Sequence, residues 1–249
     1  TTINAKLQRV AQQSLQQGLI NYSLRHGFRG PIFTLDNPAN IDQATWQAAL
    51  PKIPTHNLLQ AAAITSCNKQ SVSALLPNGT TINIDWAGLS WARPKLKDGY
   101  VGKSPKTAGD IVQPGDVVWV EKLNNQWQLS QAPQAQGALV SMTPDTGAIT
   151  AITGGYDYDL SKFNRATQAL RQTGSSFKPF IYSAALNKGY TLASIINDAP
   201  IVIKDTGENQ LWRPKNDNEK FYGPTRLRVG LAESRNLVSV RLLQDITIP

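Results

Sequence analysis

The stretch Arg171-Gln172-Thr173-Gly174-Ser175-Ser176-Phe177-Lys178-Pro179-Phe180 sets Ser175 and Lys178 three residues apart, where the apolar pattern turns helical. From Ser175 onward, Phe177, Ile181, Ala184 and Ala185 fall on one side of a predicted helix, and Gly189 is a fitting residue just past its end. A serine and a lysine at this spacing share a helix face, so the amine can reach the hydroxyl. The helix N-terminus adds a positive potential and free backbone N–H groups that can hold a developing oxyanion. Lysine accepts a serine proton only when neutral, so burial or neighbouring positive charge must lower its pKa. The pattern suits an acyl-transferring serine that works without histidine. Alone it is weak: a random chain of this length holds roughly one Ser-x-x-Lys, and a helix-cap serine beside a surface lysine is the commoner explanation. Ser66-Cys67-Asn68-Lys69 meets the same spacing, but in a strand-to-turn setting with no helix to follow.

A second element raises the odds. Ser234-Arg235-Asn236 follows a helical pattern that starts near Thr225, with Leu227 and Leu231 inward, and precedes another from Leu237 to Asp245. That places a hydroxyl and an amide at a helix–helix turn, where they could relay a proton to Lys178 and hydrogen-bond a substrate amide. The plain alternative is a capping serine between two helices.

Upstream, Ala138–Thr143 and Ala148–Thr153 read as short β runs joined by the turn Pro144-Asp145-Thr146-Gly147. Before them, residues 58–131 look all-β. Leu58–Thr65 and Ser71–Leu76 are apolar runs, Asn78-Gly79 is a hairpin turn, and Thr81–Trp86 alternates Ile82, Ile84 and Trp86. Val117–Leu123 and Gln126–Leu129 flank a turn at Asn124-Asn125. Five short strands in about 75 residues fit a small barrel or sandwich, the OB type among them, with Arg93–Asp110 as a long loop. The chain opens on a predicted helix capped by Asn4, with Leu7, Val10, Ala11, Ser14, Leu15 and Gly18 as its stripe. Pro38, Pro51 and Pro54 bracket a short predicted helix around Trp46.

The bulk numbers bound these readings. The chain has 249 residues, 41% of them hydrophobic, with a formal charge of +8, which points to one or two domains with a buried core. One cysteine, Cys67, and two histidines, His26 and His56, exclude a disulfide framework and a cysteine-built zinc site; no metal or cofactor is expected. No stretch approaches the ~20 apolar residues of a membrane span. The chain begins mid-pattern at Thr1-Thr2-Ile3 and stops at Pro249 after a helical run, so it reads as a fragment. The basic balance fits nucleic acid, an anionic membrane surface or an anionic substrate equally.

Several motifs in order carry a resemblance. Gly154-Gly155-Tyr156, Phe163-Asn164-Arg165-Ala166, RQTGSSFKPFIYSAAL from Arg171, Trp212-Arg213-Pro214-Lys215-Asn216, Gly223-Pro224 and Ala232-Glu233-Ser234-Arg235-Asn236 resemble the transpeptidase domain of class A penicillin-binding proteins. TTINAKLQ and Arg25-His26-Gly27-Phe28-Arg29-Gly30-Pro31 are similar to the linker entering that domain in the Gram-negative 1A type, which also carries an OB-like insertion. The resemblance implies a D-Ala-D-Ala transpeptidase acting on peptidoglycan stem peptides and acylated by β-lactams. Ser175 would be the nucleophile, its backbone N–H half of the oxyanion hole, and Lys178 the general base. Ser234 and Asn236 would be the proton-relay and substrate-binding pair, and Arg235 would fill the variable position. Trp212 would be scaffold or cleft wall touching substrate, and the Gly154-Gly155 pair a bulge or close approach. The family also implies a glycosyltransferase on the same chain, a single-pass anchor upstream and action at the periplasmic face of the inner membrane. A separate reading makes the insertion a docking surface for a regulatory lipoprotein or cell-wall polymer, and no residue in the sequence singles it out.

The expected architecture is α+β and multidomain. Residues 1–50 form a linker region with an N-terminal helix, and 51–133 an all-β OB-like domain. Residues 134–249 form the N-terminal half of a penicillin-binding protein/serine β-lactamase-like transpeptidase domain, an antiparallel sheet flanked by helices. The family's third motif, Lys-Thr/Ser-Gly, has no match: Lys106-Thr107-Ala108-Gly109 has an inserted alanine and precedes the nucleophile. A chain ending at Pro249 would therefore not catalyse efficiently.

Two rivals bear on function. A D,D-carboxypeptidase or β-lactamase on the same scaffold would hydrolyse the acyl-enzyme, but a class A lactamase needs a Glu-x-x-Leu-Asn setting. Glu208-Asn209-Gln210-Leu211-Trp212 ends in the wrong residue and precedes Ser234. A basic nucleic-acid-binding module would use Trp86, Trp91, Arg93, Lys95 and Lys97; core tryptophans beside a solvated loop explain them better, so no nucleic-acid partner is expected.

Overall fold

The computed structural model describes residues 2–35, 44, 53, 58–204 and 211–247. The expected helix around Trp46, Pro38, Pro51, Pro54, His56 and Glu208 lie outside them. The chain divides into two compact units, Thr1–Ala169 and Leu170–Pro249. Among the described residues, no helix is long and apolar enough to cross a membrane.

The first unit is built on a curved antiparallel sheet. Its strands are β1 (Phe33–Thr34), β2 (Gln60–Cys67), β3 (Ser71–Leu75), β4 (Thr81–Asp85), β5 (Asp116–Leu123) and β6 (Gln126–Ser130). Hydrogen bonding runs β6-β5-β2-β3-β4, with β1 also on β5. The two ends of that path, β4 and β6, approach each other, and the short helix α2 (Trp86–Leu89), preceded in the chain by helix α1 (Ala5–Arg25), lies against both. The sheet is thereby curled into a barrel, which leaves few open edges. The hairpins form where their turn residues tolerate positive φ: Gly79 at +83°, and Asn124 and Asn125 at +48° and +64°. The stretch expected as a long loop carries a small hairpin of its own, with Lys95 bridged to Val101, and a 3₁₀ turn at Ala108–Asp110 capped by Thr107.

Strands β2 and β5 are buried on both faces, so their alternating side chains feed two cores. Ala62, Ile64, Val118 and Val120 meet Val72, Ala74, Ile82, Ile84 and Leu129 inside the barrel. Ala61, Ala63, Val117 and Trp119 pack outward on Leu19 and Ile20 of α1 and on Tyr156. Each fully buried valine, leucine or isoleucine among them is worth roughly 1.5–3 kcal/mol. Trp86 and Trp91 pack partly buried against the barrel core, and Trp91 donates to the Leu129 carbonyl.

Glu121 sits on the outer face of β5, 4% exposed, and accepts from Gln128 Nε2 and Ser130 Oγ on β6. Burial pushes its carboxyl above the ordinary 4.5, more than those two donors pull it down. The folded chain therefore holds this proton to higher pH than the unfolded chain. Stability falls as pH rises from 4.5 through the raised native value. Glu121→Gln keeps the acceptor oxygen, so it is expected to raise Tm by a few degrees at pH 7 and to lose that advantage below pH 4.5. Melts across this pH range check it.

Helix α1 has the expected cap, with Asn4 Oδ1 accepting from Lys6 and Leu7 N–H, but its buried face is not the expected stripe. Leu7, Val10, Ser14 and Gly18 are exposed, while Ala11, Gln16, Leu19, Ile20 and Ser23 are buried. The reason is the hairpin β7 (Leu139–Met142)–β8 (Ile149–Thr153), whose free β8 edge needs partners. Gln8 supplies both: its Nε2 donates to Ile152 O at 2.8 Å and its Oε1 accepts from Ile152 N–H at 2.9 Å. Gln16 Nε2 donates to Tyr156 O, and the Asn4 N–H reaches Thr150 O. Glutamines here take the place of a neighbouring strand. Just beyond, a Cβ on Gly154 would lie 2.1 Å from Asn164 Oδ1, so that glycine marks a close approach.

The second unit is smaller. Helices α3 (Lys178–Asn187), α4 (Leu227–Ala232) and α5 (Asn236–Ile246) enclose a core of Tyr182, Ala185, Ile196, Leu227, Val238, Leu242 and Ile246. Two antiparallel ladders flank it, β9 (Ile195–Asp198) with β12 (Gly223–Arg226), and β10 (Ile203–Lys204) with β11 (Leu211–Trp212). The inward face of α3 is Lys178, Tyr182 and Ala185; Phe177 and Ala184, expected inward, are exposed. Gly189 ends α3 with φ +93°.

Candidate active site

Ser175 does not sit on the α-helix itself. Gly174–Phe177 form a 3₁₀ turn, with the Lys178 N–H bonded to Ser175 O, and α3 begins at Lys178 with Pro179 in its first turn. In a 3₁₀ turn residues i and i+3 eclipse, which aligns Ser175 with Lys178 more closely than an α-helix would. Lys178 is 7% exposed.

Its ammonium has three acceptors: Ser234 O at 2.6 Å, Asn236 Oδ1 at 2.7 Å and Ser234 Oγ at 2.9 Å. Ser234 Oγ lies 3.0 Å from Ser175 Oγ. All four residues of the sequence motifs thus join in one hydrogen-bonded cluster, and the path from Ser175 to Lys178 passes through Ser234. None of these three acceptors is a carboxylate, and burial lowers the Lys178 pKa.

Ser234 reaches this position through an unusual backbone. It occupies the left-handed region at φ +52°. Its N–H bonds to Leu231 O and the next N–H, of Arg235, to Gly230 O, which is the Schellman closure of α4. Arg235 turns away from Lys178, its guanidinium 3.5 Å from the Tyr222 ring centre. Asn236 opens α5, where its N–H bonds to Asn216 Oδ1 and its Nδ2 to Lys215 O.

Ser175 borders two concavities. One, of about 390 Å³, is polar and lined by Asn216, Asp217, Asn218, Glu233 and Arg235. The other, of about 510 Å³, is mainly apolar, walled by Phe177, Ile181, Trp212, Val240 and Leu243. Trp212, half exposed on β11, belongs to the wall of the second, beside Ser175 and Lys178.

Sequence reasoning passed over Asn216 and Asp198. Asn216 has no role there beyond closing the Trp212–Asn216 motif, and Asp198 has none. Both act over tens of residues, and no local spacing announces them. The remaining singletons are structural: His26 Nδ1 lies 2.7 Å from Tyr22 O, and Cys67 is half-buried, its Sγ 3.4 Å from Val112 O and its thiol pushed up by burial. Ser66 and Cys67 end β2, as a strand-to-turn decoy should.

Comparison with known proteins gives a consistent result. Residues 28–135 match the family profile of the penicillin-binding protein OB-like domain, and residues 137–248 that of the penicillin-binding protein transpeptidase domain. Penicillin-binding protein 1A of Escherichia coli is 43% identical over all of this chain and 29% of its own length. The protein of that name from Pseudomonas aeruginosa is 43% identical, again over all of this chain and 30% of its own. A crystal structure of penicillin-binding protein 1A from Haemophilus influenzae superposes with a TM-score of 0.78 at 38% identity, covering 99% of this chain and 35% of that one. The chain thus spans about three tenths of the length of these relatives. A chain that carries these two domains in this order, alike along essentially its whole length, belongs to the penicillin-binding proteins of the 1A type.

Proposed function

We propose that this chain carries the acylating machinery of a peptidoglycan D,D-transpeptidase. The observation behind it is the path Ser175 Oγ–Ser234 Oγ–Lys178 Nζ, at 3.0 and 2.9 Å, ending on a buried lysine whose pKa is lowered. Of the three acceptors around Nζ, the Ser234 carbonyl and Asn236 Oδ1 can only accept. Only the Ser234 hydroxyl can also donate. When Lys178 is neutral, its lone pair therefore turns to Ser234, which in turn accepts from Ser175.

The reaction follows from that reversal. Ser175 Oγ attacks the carbonyl of the penultimate D-Ala as its proton passes to Ser234, whose own proton goes to Nζ. The tetrahedral intermediate collapses, the C–N bond breaks, and D-Ala leaves with a proton returned from the now charged Lys178. An acceptor amine then attacks the acyl-enzyme, loses its proton along the same path and restores Ser175. A β-lactam amide would acylate the same serine. Asn236 holds Lys178 and faces substrate, and Trp212 walls the apolar groove. Stem peptides place this chemistry in the periplasm, on a protein anchored to the inner membrane; a glycosyltransferase on the parent chain and a lipoprotein or wall polymer at the OB-like insertion extend the same reading.

Incubation of the full-length protein with penicillin, followed by proteolysis and mass spectrometry, tests it. One equivalent of adduct is expected, on Ser175. An adduct on Ser176 or Ser234, or none, would sink the assignment.

A further inference from the structure

We propose that Asn216 is a positioning residue for acylation: the buried Asp198 carboxylate orients its amide, and that amide fixes Asn236 and through it Lys178. This rests on the acylation reading above. Asp198, at the end of β9, is 0% exposed, and Asn216 is 4% exposed. Asn216 Nδ2 donates to both Asp198 oxygens, at 2.8 and 3.0 Å, and to Lys220 O at 2.8 Å. A carboxylate only accepts, so it admits the nitrogen end of the amide and turns Oδ1 the other way.

That oxygen accepts from the backbone N–H of Asn236 at 2.8 Å and of Leu237 at 3.3 Å. These are the first donors of α5, which have no partners within their own helix. Arg235, at the N-cap position, makes no side-chain cap bond. A side chain twenty residues upstream therefore does the capping. The neighbouring Lys215 carbonyl accepts Asn236 Nδ2 at 2.9 Å, which leaves Asn236 Oδ1 facing Lys178 at 2.7 Å. Residues 215 and 216 thus hold Asn236 by backbone and side chain at once. The same anchor fixes the turn carrying Ser234, two residues earlier.

Burial makes the arrangement unforgiving. A carboxylate facing a carboxylate, or an amide free to flip, would leave a buried group unpaired. A shift of about 1 Å in Asn236 or Ser234 is enough to cost about 100-fold in rate.

The test is stopped-flow acylation of the full-length protein by a fluorescent penicillin, resolving reversible binding from the first-order acylation step. Asn216→Ala is expected to slow the acylation step about 100-fold and leave reversible binding near wild type. Asp198→Asn and Asn216→Asp are each expected to slow it too. Combined, these two set a carboxylate oxygen of residue 216 against the Lys220 carbonyl, so the pair is expected to stay as slow as its single variants. The proposal is overturned if Asn216→Ala or Asp198→Asn acylates at the wild-type rate, or if binding and acylation weaken together. Should Asn216→Ala not fold, the isosteric Asp198→Asn decides. Wild-type protein without a Ser175 adduct would overturn the acylation reading and this one with it; an intact adduct with a wild-type rate in Asn216→Ala overturns this one alone.

Discussion

Lys178→Met is expected to lower the acylation rate of the full-length protein by penicillin about 10³-fold, the contribution typical of a positioned general base, without unfolding it. Methionine keeps the unbranched stem but has no proton acceptor of use. Ser234 would keep its place, yet a proton leaving Ser175 would have nowhere to rest beyond the second hydroxyl. Lys178→Arg is expected to fail equally, because a guanidinium stays protonated throughout the working range.

The pH profile carries the sign. Only the neutral amine accepts, so the acylation rate of the wild type rises with pH until Lys178 has lost its proton, and burial brings that point below the ordinary lysine value. Both variants should lose this rising limb. Stability points the opposite way. Burial makes the charged lysine costly in the folded state; that cost is complete below the native pKa and fades as pH rises from there to the ordinary lysine value. Lys178→Met removes that cost, offsetting the donors lost to Ser234 and Asn236, and its Tm should stay within a few degrees of wild type. A variant that keeps its acylation rate within tenfold would exclude Lys178 as the base.

What is legible in the sequence divides along the range of the interactions. Asn78-Gly79, Asn124-Asn125 and the Asn4 cap are decided by residues within a turn of each other, and each formed where expected. The buried face of α1 depends on the edge of β8, about 140 residues away in the chain, so the leucine-and-valine stripe misled: an unpaired strand edge can prefer glutamine to an aliphatic side chain. The site shows the same division. Ser-x-x-Lys and Ser-x-Asn are short patterns and were legible as such. That Lys178 meets Ser175 through Ser234, across 56 and 59 residues, was only half legible, because the 3₁₀ turn at Gly174–Phe177 and the left-handed Ser234 are set by packing rather than by propensity. Asp198 has no local signal, and Asn216 shows only as the last residue of the Trp212–Asn216 motif, with nothing to tie it to Asn236 twenty residues on.

The left-handed Ser234 supplies the other large effect. The position after a helix that closes in a Schellman turn is ordinarily glycine, because a Cβ there crowds the backbone. Here it is a serine at φ +52°, and its hydroxyl touches both Ser175 and Lys178. Ser234→Gly and Ser234→Ala therefore separate two things the wild type combines. Both remove the relay hydroxyl, and both are expected to slow acylation about 10³-fold. Both keep the carbonyl that Lys178 also contacts, so the amine should stay in place. They differ in strain. Glycine adopts this φ freely, whereas alanine retains the crowded Cβ and gains nothing from it, so the glycine variant should be the more stable by about 1 kcal/mol. Denaturant unfolding beside single-turnover acylation measures both quantities on the same samples. A glycine variant no more stable than the alanine one would mean that Ser234 stores no strain. Either variant acylating within tenfold of wild type would mean that the proton leaves Ser175 by another route. Stability lost to hold one hydroxyl between a nucleophile and its base is what a catalytic position looks like, and a mere helix cap would show the reverse pattern: a stability loss and an unchanged rate.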